Sequence, residues 1–431
     1  MSGTERISAT EARDGADAFL DLAVTLGCRL LSEGAEISRV EEAITRLMKA
    51  YRVPGDVFAI PSSLIVTVSP EGSEPVTRMC RIAPHGTDVD GLERTYSLAR
   101  ALCAEVPPIR EAKRRLAAVE KIDLHYPVPV LYLAYFLAAS AFAVFFGGTI
   151  SDGLLAGICG VLTGAFLRLL TRLRVNAFFQ TMTASFLIAV VSQTLTHFHV
   201  IRYADAAAIG ALMLLVPGMM MTDSMRDIIY GDTLSGINKF VQVVLTAAAL
   251  LLGTGTALRL SHLLWDVASV GISLDVPYPW WIQVSFAALA CCGYCILFNI
   301  RIPGMFVCMA GGGLGWAAYL TAEKLSSSAL FAYFAAAAVI SLYAEIMARV
   351  RKFPAFSYLV IALLPLVPGA GVYYTVEYLL QGSRMQSVEQ GVRTAAAAGL
   401  LAVGMLVVSS VFRMVGVARQ QRKDRAKNAG G

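Results

Sequence analysis

What this sequence has least of is charge. Only 16% of its 431 residues are Asp, Glu, Lys or Arg, against 56% that are hydrophobic. With a mean hydropathy of +0.62, the chain is too apolar for an ordinary soluble domain. Its net charge of +5 does not point to nucleic acid, because Lys and Arg sit in short loops and at the ends. Histidine is rare, and no His, Cys, Asp and Glu set falls at metal-ligand spacing. A nucleophile elbow and a phosphate-cradling loop are also missing, so neither an enzyme nor a cofactor is expected. The eight cysteines form no disulfide pattern. Cys159, Cys291, Cys292, Cys295 and Cys308 lie inside apolar segments, where small residues pack helices, and Cys292-Gly-Tyr-Cys295 reads as packing rather than a redox pair. The first 25 residues lack the positive-then-apolar pattern of a signal peptide, so the N-terminus is expected to stay on the side where it was made.

The apolar residues fall in blocks of about 17–24, the length that crosses a hydrocarbon core of about 30 Å. Ten spans are expected, at about 128–147, 150–168, 175–196, 204–222, 238–258, 282–299, 303–321, 327–347, 356–375 and 393–414. Cations alternate between their junctions as the positive-inside rule requires. Arg168, Arg172 and Arg174 fill the second loop, and Arg349, Arg351 and Lys352 the loop after span eight, whereas the first loop has none. Both termini are therefore expected in the cytoplasm. Trp265, Tyr278, Trp280 and Trp281 surround the external link, as interfacial aromatics do.

The apolar region is written twice. Residues 211–232 and 362–383 each run an apolar segment into Leu-Val-Pro-Gly and then a polar stretch ending on glycine. Pro217 and Pro368 are 151 positions apart, as are Gly231 and Gly382, Gly160 and Gly311, and Gly253 and Gly404. Such self-similarity is a duplication. Five spans per copy is an odd number, so the second copy is expected upside down relative to the first. Inverted repeats with paired Pro/Gly-broken helices are the pattern of secondary transporters, whose substrate lies between the repeats.

The breaks supply the candidate site. Pro217 cannot donate to the Met213 carbonyl, nor Pro368 to Leu364, and Pro365 frees Ile361. Freed carbonyls need partners inside the protein, which can be a substrate ammonium, a cation, water or a neighbouring side chain. Pro217, Gly218, Pro368 and Gly369 are thus candidate substrate contacts, together with Gln180 and Thr183 of the polar third span and Tyr373 beyond the second break. The span interiors are almost free of charge. Asp223, Asp227 and Glu377 follow the breaks and are the candidates for proton coupling, since an ionisable group at membrane depth is functional by default. The competing reading of all three is interfacial capping. The glycines of spans two and seven read as close helix packing.

Ahead of the spans, residues 1–15 are polar and expected to be disordered. Phe19, Leu22, Ala23, Leu26 and Leu30 then recur at helical spacing. Ser38 and Glu41 have capping-box spacing for a second helix. Strand-like runs at 56–60, 63–69 and 76–82 follow, then helices at about 88–105 and 108–122. Residues 16–125 are expected as an α+β cytoplasmic domain, ααβββαα.

The stretch Gly34-Ala35-Glu36-Ile37-Ser38-Arg39-Val40-Glu41, with Phe58-Ala59-Ile60-Pro61-Ser62-Ser63 after it, resembles the N-terminal domain of the threonine/serine exporter family. The two Val-Pro-Gly segments and the ten-span layout are similar to that family too, so the resemblance covers nearly the whole chain. It implies proton-driven export of L-threonine and L-serine across a bacterial inner membrane, and leaves room for a homo-oligomer. Glu36, Arg39 and Glu41 carry the motif without an implied role. Some relatives of this kind are associated with dicarboxylates, which makes succinate the alternative substrate. A membrane enzyme or receptor acting through the N-terminal domain is the alternative of another class. The expected fold is an α-helical polytopic membrane protein. Its inverted repeats are residues 126–260 and 282–416, joined by a link at 261–281 and followed by a basic tail at 417–431.

Overall fold

The computed structural model describes residues 3–69, 74–82, 87–122, 124–198, 204–265, 278–351 and 355–429. The chain divides into two units. One is Met1–Tyr126 with Phe298–Ile300, and the other is Pro127–Leu297 with Arg301–Gly431.

The first unit contains α1 (Gly3–Ser32), α2 (Ile37–Tyr51), β1 (Gly55–Ile60), β2 (Ser63–Val68), β3 (Val76–Arg81), α3 (Val89–Glu105) and α4 (Ile109–Glu120). The order is the ααβββαα read from periodicity. Helix α1 begins at Gly3, so residues 3–15 continue it instead of standing apart. The strands form one antiparallel sheet, β1-β2-β3, with Ile60 opposite Ser63 and Ser63 opposite Arg81. On β2, Leu64, Val66 and Val68 point inward, as period two requires. Helix α1 packs on β2 and α2 on β1, and Phe19, Leu22, Leu26 and Leu30 of α1 and Ile44 and Leu47 of α2 are buried with them.

Two expectations for this unit change. Helix α2 starts at Ile37 with Glu36 as N-cap and no side-chain capping bond. Ser38 is already inside the helix, so the Ser38–Glu41 box does not form. Glu41 Oε1 instead accepts from the Ala59 amide at 2.9 Å, fastening α2 to β1. Cys28 and Cys80 form a disulfide between α1 and β3. Their 52-residue separation gave no spacing signal, because only the sheet brings them together.

The second unit contains α5 (Val128–Phe145), α6 (Ile150–Arg172), α7 (Ala177–His197), α8 (Ala204–Leu212), α9 (Gly218–Tyr230) and α10 (Thr233–Trp265), followed by α11 (Trp280–Leu297), α12 (Gly304–Ser326), α13 (Ala329–Arg351), α14 (Ala355–Ala362), α15 (Gly369–Leu380) and α16 (Arg384–Ala429). Among the described residues, eight helices are long and apolar enough to cross a membrane: α5, α6, α7, α10, α11, α12, α13 and α16. The other two expected spans, 204–222 and 356–375, are each two short helices joined through Val-Pro-Gly.

Packing repeats with the sequence. Helix α5 lies on α6 as α11 lies on α12, α7 on α10 as α13 on α16, and α9 on α10 as α15 on α16. Contacts between the copies obey the same exchange: α5 meets α11, while α9 meets α16 and α10 meets α15. One core cluster holds Met221 and its repeat equivalent Val372, with Ala247 and its equivalent Ala398. Glycine permits the closest approaches. A Cβ on Gly160 of α6 would lie 2.7 Å from the Tyr135 carbonyl oxygen of α5.

Candidate functional site

The two breaks share one backbone design. Leu215 N donates to Leu212 O, Val216 N to Leu212 O, and Met221 N to Pro217 O; Leu366, Val367 and Val372 make the same three bonds 151 residues later. Pro217 and Pro368 cap α9 and α15 with nearly equal angles, φ −83° and −75°, ψ 41° and 48°. Both helices are followed by a glycine at positive φ, Gly231 at 108° and Gly382 at 79°. A hydroxyl also ties each short helix to the next. Ser224 Oγ donates to Gly236 O at 2.8 Å, and in the second copy the donor swaps sides, Ser387 Oγ to Thr375 O at 2.7 Å.

The starts of α9 and α15 lie against each other. A Cβ on Gly218 would overlap Val367 Cγ1 and stand 3.5 Å from Gly369 Cα. A Cβ on Gly369 would lie 2.9 Å from Met213 Sδ and 3.2 Å from Val216 Cγ1. Pro217-Gly218 and Pro368-Gly369 are therefore brought together, with Gly218 and Gly369 close-packed in this conformation. Two helix N-termini, each a positive dipole end, meet at this point, and at α15 the Gly369 N–H already donates to Val367 O.

Two of the three freed carbonyls have side-chain partners, both on α11, and Ile361 O also accepts from the Leu364 amide. The Tyr294 hydroxyl donates to Met213 O at 2.8 Å, and Cys291 Sγ, one turn earlier, donates to Ile361 O at 3.3 Å. One helix thus caps the breaks of both copies. Sequence reasoning missed these caps, because the partners lie 81 and 70 residues from the carbonyls they serve.

Beyond the crossing the copies diverge. On α9, Arg226 Nη2 stands 3.3 Å from Asp223 and 3.8 Å from Asp227, and Lys239 of α10 holds Asp227 at 2.7 Å. On α15, Glu377 is 6% exposed. Its carboxylate accepts from Gln381 Nε2 at 3.0 Å and from the Tyr373 hydroxyl, one turn to either side. Among the described residues no cation pairs with it. Gln180 and Thr183 do not join either group by any bond they make. Gln180 Nε2 donates to Val175 O at 2.6 Å, and the Thr183 hydroxyl bonds back to Phe179 O at 2.7 Å within α7.

Among the described residues of this unit, three acidic or basic side chains are buried: Asp152, Arg226 and Glu377. Asp152 is occupied in the capping box that starts α6. Arg226 and Glu377 are 151 positions apart, so they hold the same place in the two copies with opposite charge. Asp227 stands ten positions after Pro217 and Glu377 nine after Pro368, so these two acids are not equivalent.

In the first unit, the motif residues work locally. Arg39 Nη1 pairs with Glu42 at 3.2 Å, with Glu36 beside it, while Glu41 holds β1. Glu33 is buried against Arg29, whose Nε reaches Glu33 Oε1 at 2.8 Å and Thr95 Oγ1 at 3.2 Å. Burial pushes the Glu33 carboxyl above its ordinary range, although Thr95 and Arg29 oppose the shift.

A threonine/serine exporter family model matches residues 21–261, and a second, described as threonine/serine exporter ThrE, matches residues 283–411. Residues 262–282 lie between the two matches. The chain is 23% identical over 417 residues to the "Probable threonine/serine exporter" of Mycobacterium tuberculosis, covering 91% of this chain and 76% of that one. It is 21% identical over 409 residues to the "Threonine/serine exporter" of Corynebacterium glutamicum, covering 91% and 82%. No solved structure matches it. With a duplicated helical unit of apolar spans, a small α+β unit before it and a matching model over more than half its length, the chain belongs to the threonine/serine exporter family.

Proposed function

We propose that this chain exports L-threonine and L-serine from the bacterial cytoplasm across the inner membrane, driven by proton entry, by alternating access between two oppositely oriented repeats. The names of its relatives support the substrates. The packing scheme supports the mechanism, because it survives exchange of the copies, as rocking of one repeat against the other requires. Each broken pair, α8–α9 and α14–α15, then crosses the membrane once, giving ten crossings and two cytoplasmic termini.

The coupling rests on one observation, the buried carboxylate of Glu377 held by neutral donors alone. Such a group takes up and releases a proton without stranding a partner. Asp223 and Asp227 face Arg226 and Lys239, and protonating Asp227 would take the acid from Lys239 and protonating Asp223 the nearer acid from Arg226, each at a cost in a partly buried cluster. Glu377 is the proton carrier in this reading, and Asp223 and Asp227 are not.

The test is efflux of preloaded labelled L-threonine from proteoliposomes, with and without an inward proton gradient. The wild type accelerates with the gradient, L-serine competes and succinate does not. Glu377→Gln still exchanges threonine but ignores the gradient. Gradient-driven efflux by Glu377→Gln would remove the assignment, and no threonine movement by the folded wild type would remove the function.

A further inference from the structure

We propose that the Arg226–Asp223 pair of α9 is the amino-acid recognition site, with Arg226 taking the substrate carboxylate and Asp223 its ammonium. The proposal rests on the export reading above and deepens it.

The first support is the comparison between copies. The positions equivalent to Asp223, Arg226, Asp227 and Lys239 are Tyr374, Glu377, Tyr378 and Gln390. Helix α15 packs on α16 without any ion pair among these, just as α9 packs on α10. The hydroxyl bond between short and long helix, Ser224 to Gly236 and Ser387 to Thr375, is present in both. Holding the helices together therefore does not require the charges. A buried ion pair is weak evidence for stability, since apolar residues of the same volume often serve better. Four charges kept on one copy alone need another reason.

The second support is the geometry of the pairs. Lys239 and Asp227 are close at 2.7 Å and join α10 to α9. Arg226 stands farther from its acids, 3.3 Å from Asp223 and 3.8 Å from Asp227. With Asp227 held by Lys239 at 2.7 Å, the Arg226–Asp223 pair is the longer of the two. A zwitterion inserts into such a pair without changing its net charge. One Arg–Asp contact becomes two, substrate carboxylate on guanidinium and substrate ammonium on carboxylate. The planar guanidinium fork suits a carboxylate in particular. Asp223 is 23% exposed at its side chain and Arg226 10%, so the acid lies at the open side and the cation beneath it.

The same chemistry sets the substrate class. A zwitterion leaves every charge paired, whereas a dicarboxylate leaves Asp223 facing an anion and a diamine leaves Arg226 facing a cation. The Pro-Gly crossing, closed here between Gly218 and Gly369, is then the joint that moves rather than the surface that reads the substrate.

The experiment uses the full chain in proteoliposomes and measures inhibition of labelled L-threonine efflux by three unlabelled compounds on the inner side. These are L-serine, L-threonine amide, which lacks the anionic group, and N-acetyl-L-threonine, which lacks the cationic one. In the wild type serine competes at least about 30-fold better than either blocked compound, the worth of one lost charged hydrogen bond. Arg226→Gln abolishes the preference for serine over the amide, and Asp223→Asn abolishes the preference over the N-acetyl compound. Arg226→Lys and Asp223→Glu keep wild-type preferences at reduced rate and control for folding. Unchanged preferences in the Gln and Asn variants, or an equal loss for all three compounds, overturn the proposal and leave the cluster as a structural lock. A wild type that moves no threonine fails at the export reading instead.

Discussion

At the scale of single residues, the breaks in this chain are governed by what fills the space that proline and glycine leave. Proline predicts from sequence that the Met213 carbonyl loses its donor, and it does; Tyr294 supplies the replacement. Removing that hydroxyl with Tyr294→Phe leaves a buried carbonyl unpaired, and the cost expected is about 1–3 kcal/mol. Thermal unfolding of the purified protein in detergent, compared with wild type, measures it. At Gly218 the limit is space, because any side chain meets Val367 across the crossing. Gly218→Ala is expected to destabilise by about 1–3 kcal/mol through overpacking, and Val367→Ala in the same chain should restore part of the loss. Equal melting temperatures for Gly218→Ala and wild type would mean that the two copies do not touch there.

Among the elements, those with strong period were legible and those closed by distant partners were not. Leu64, Val66 and Val68 alternate, Phe19 to Leu30 recur at helical spacing, and both patterns point to the faces that are buried. The second helix was misjudged at its start, because Ser38 and Glu41 have the spacing of a capping box but Glu41 finds the Ala59 amide. Of the candidate site, the breaks and Glu377 were visible as composition, whereas the caps on α11 and the burial of Arg226 exist only once helices are packed. Glu33 shows how an element boundary can depend on pH. Its folded-state pKa is raised by burial, so the folded unit holds that proton more tightly than the unfolded chain. Stability from this group is greatest below the ordinary carboxylate range, near pH 4.3, and falls as pH rises through the raised value. Hydrogen-exchange protection at the end of α1 and the start of α3 should fall with it, after correction for intrinsic rates, and Glu33→Gln should flatten the dependence.

Across the whole molecule the duplication is the organising fact, and it predicts where motion occurs. Met221 and Val372 share a core cluster at equivalent positions, so cysteines placed there should be joined by a short, reducible thiol cross-linker. If the copies rock about the crossing, the cross-linked protein stops threonine efflux and a reductant restores it. Efflux that persists through the cross-link would place the moving parts elsewhere. The arrangement of α11 has a consequence for biosynthesis. Met213 belongs to the first copy, and Tyr294, which satisfies it, belongs to the second and lies 81 residues further along. At about 5–20 residues per second, the ribosome needs roughly 4–16 s to cover that interval. For that time the first copy lacks the Tyr294 hydroxyl at its break. The first copy is therefore completed only when its twin arrives, and an early stop codon in the second copy leaves an unfinished first one as a substrate for membrane proteases.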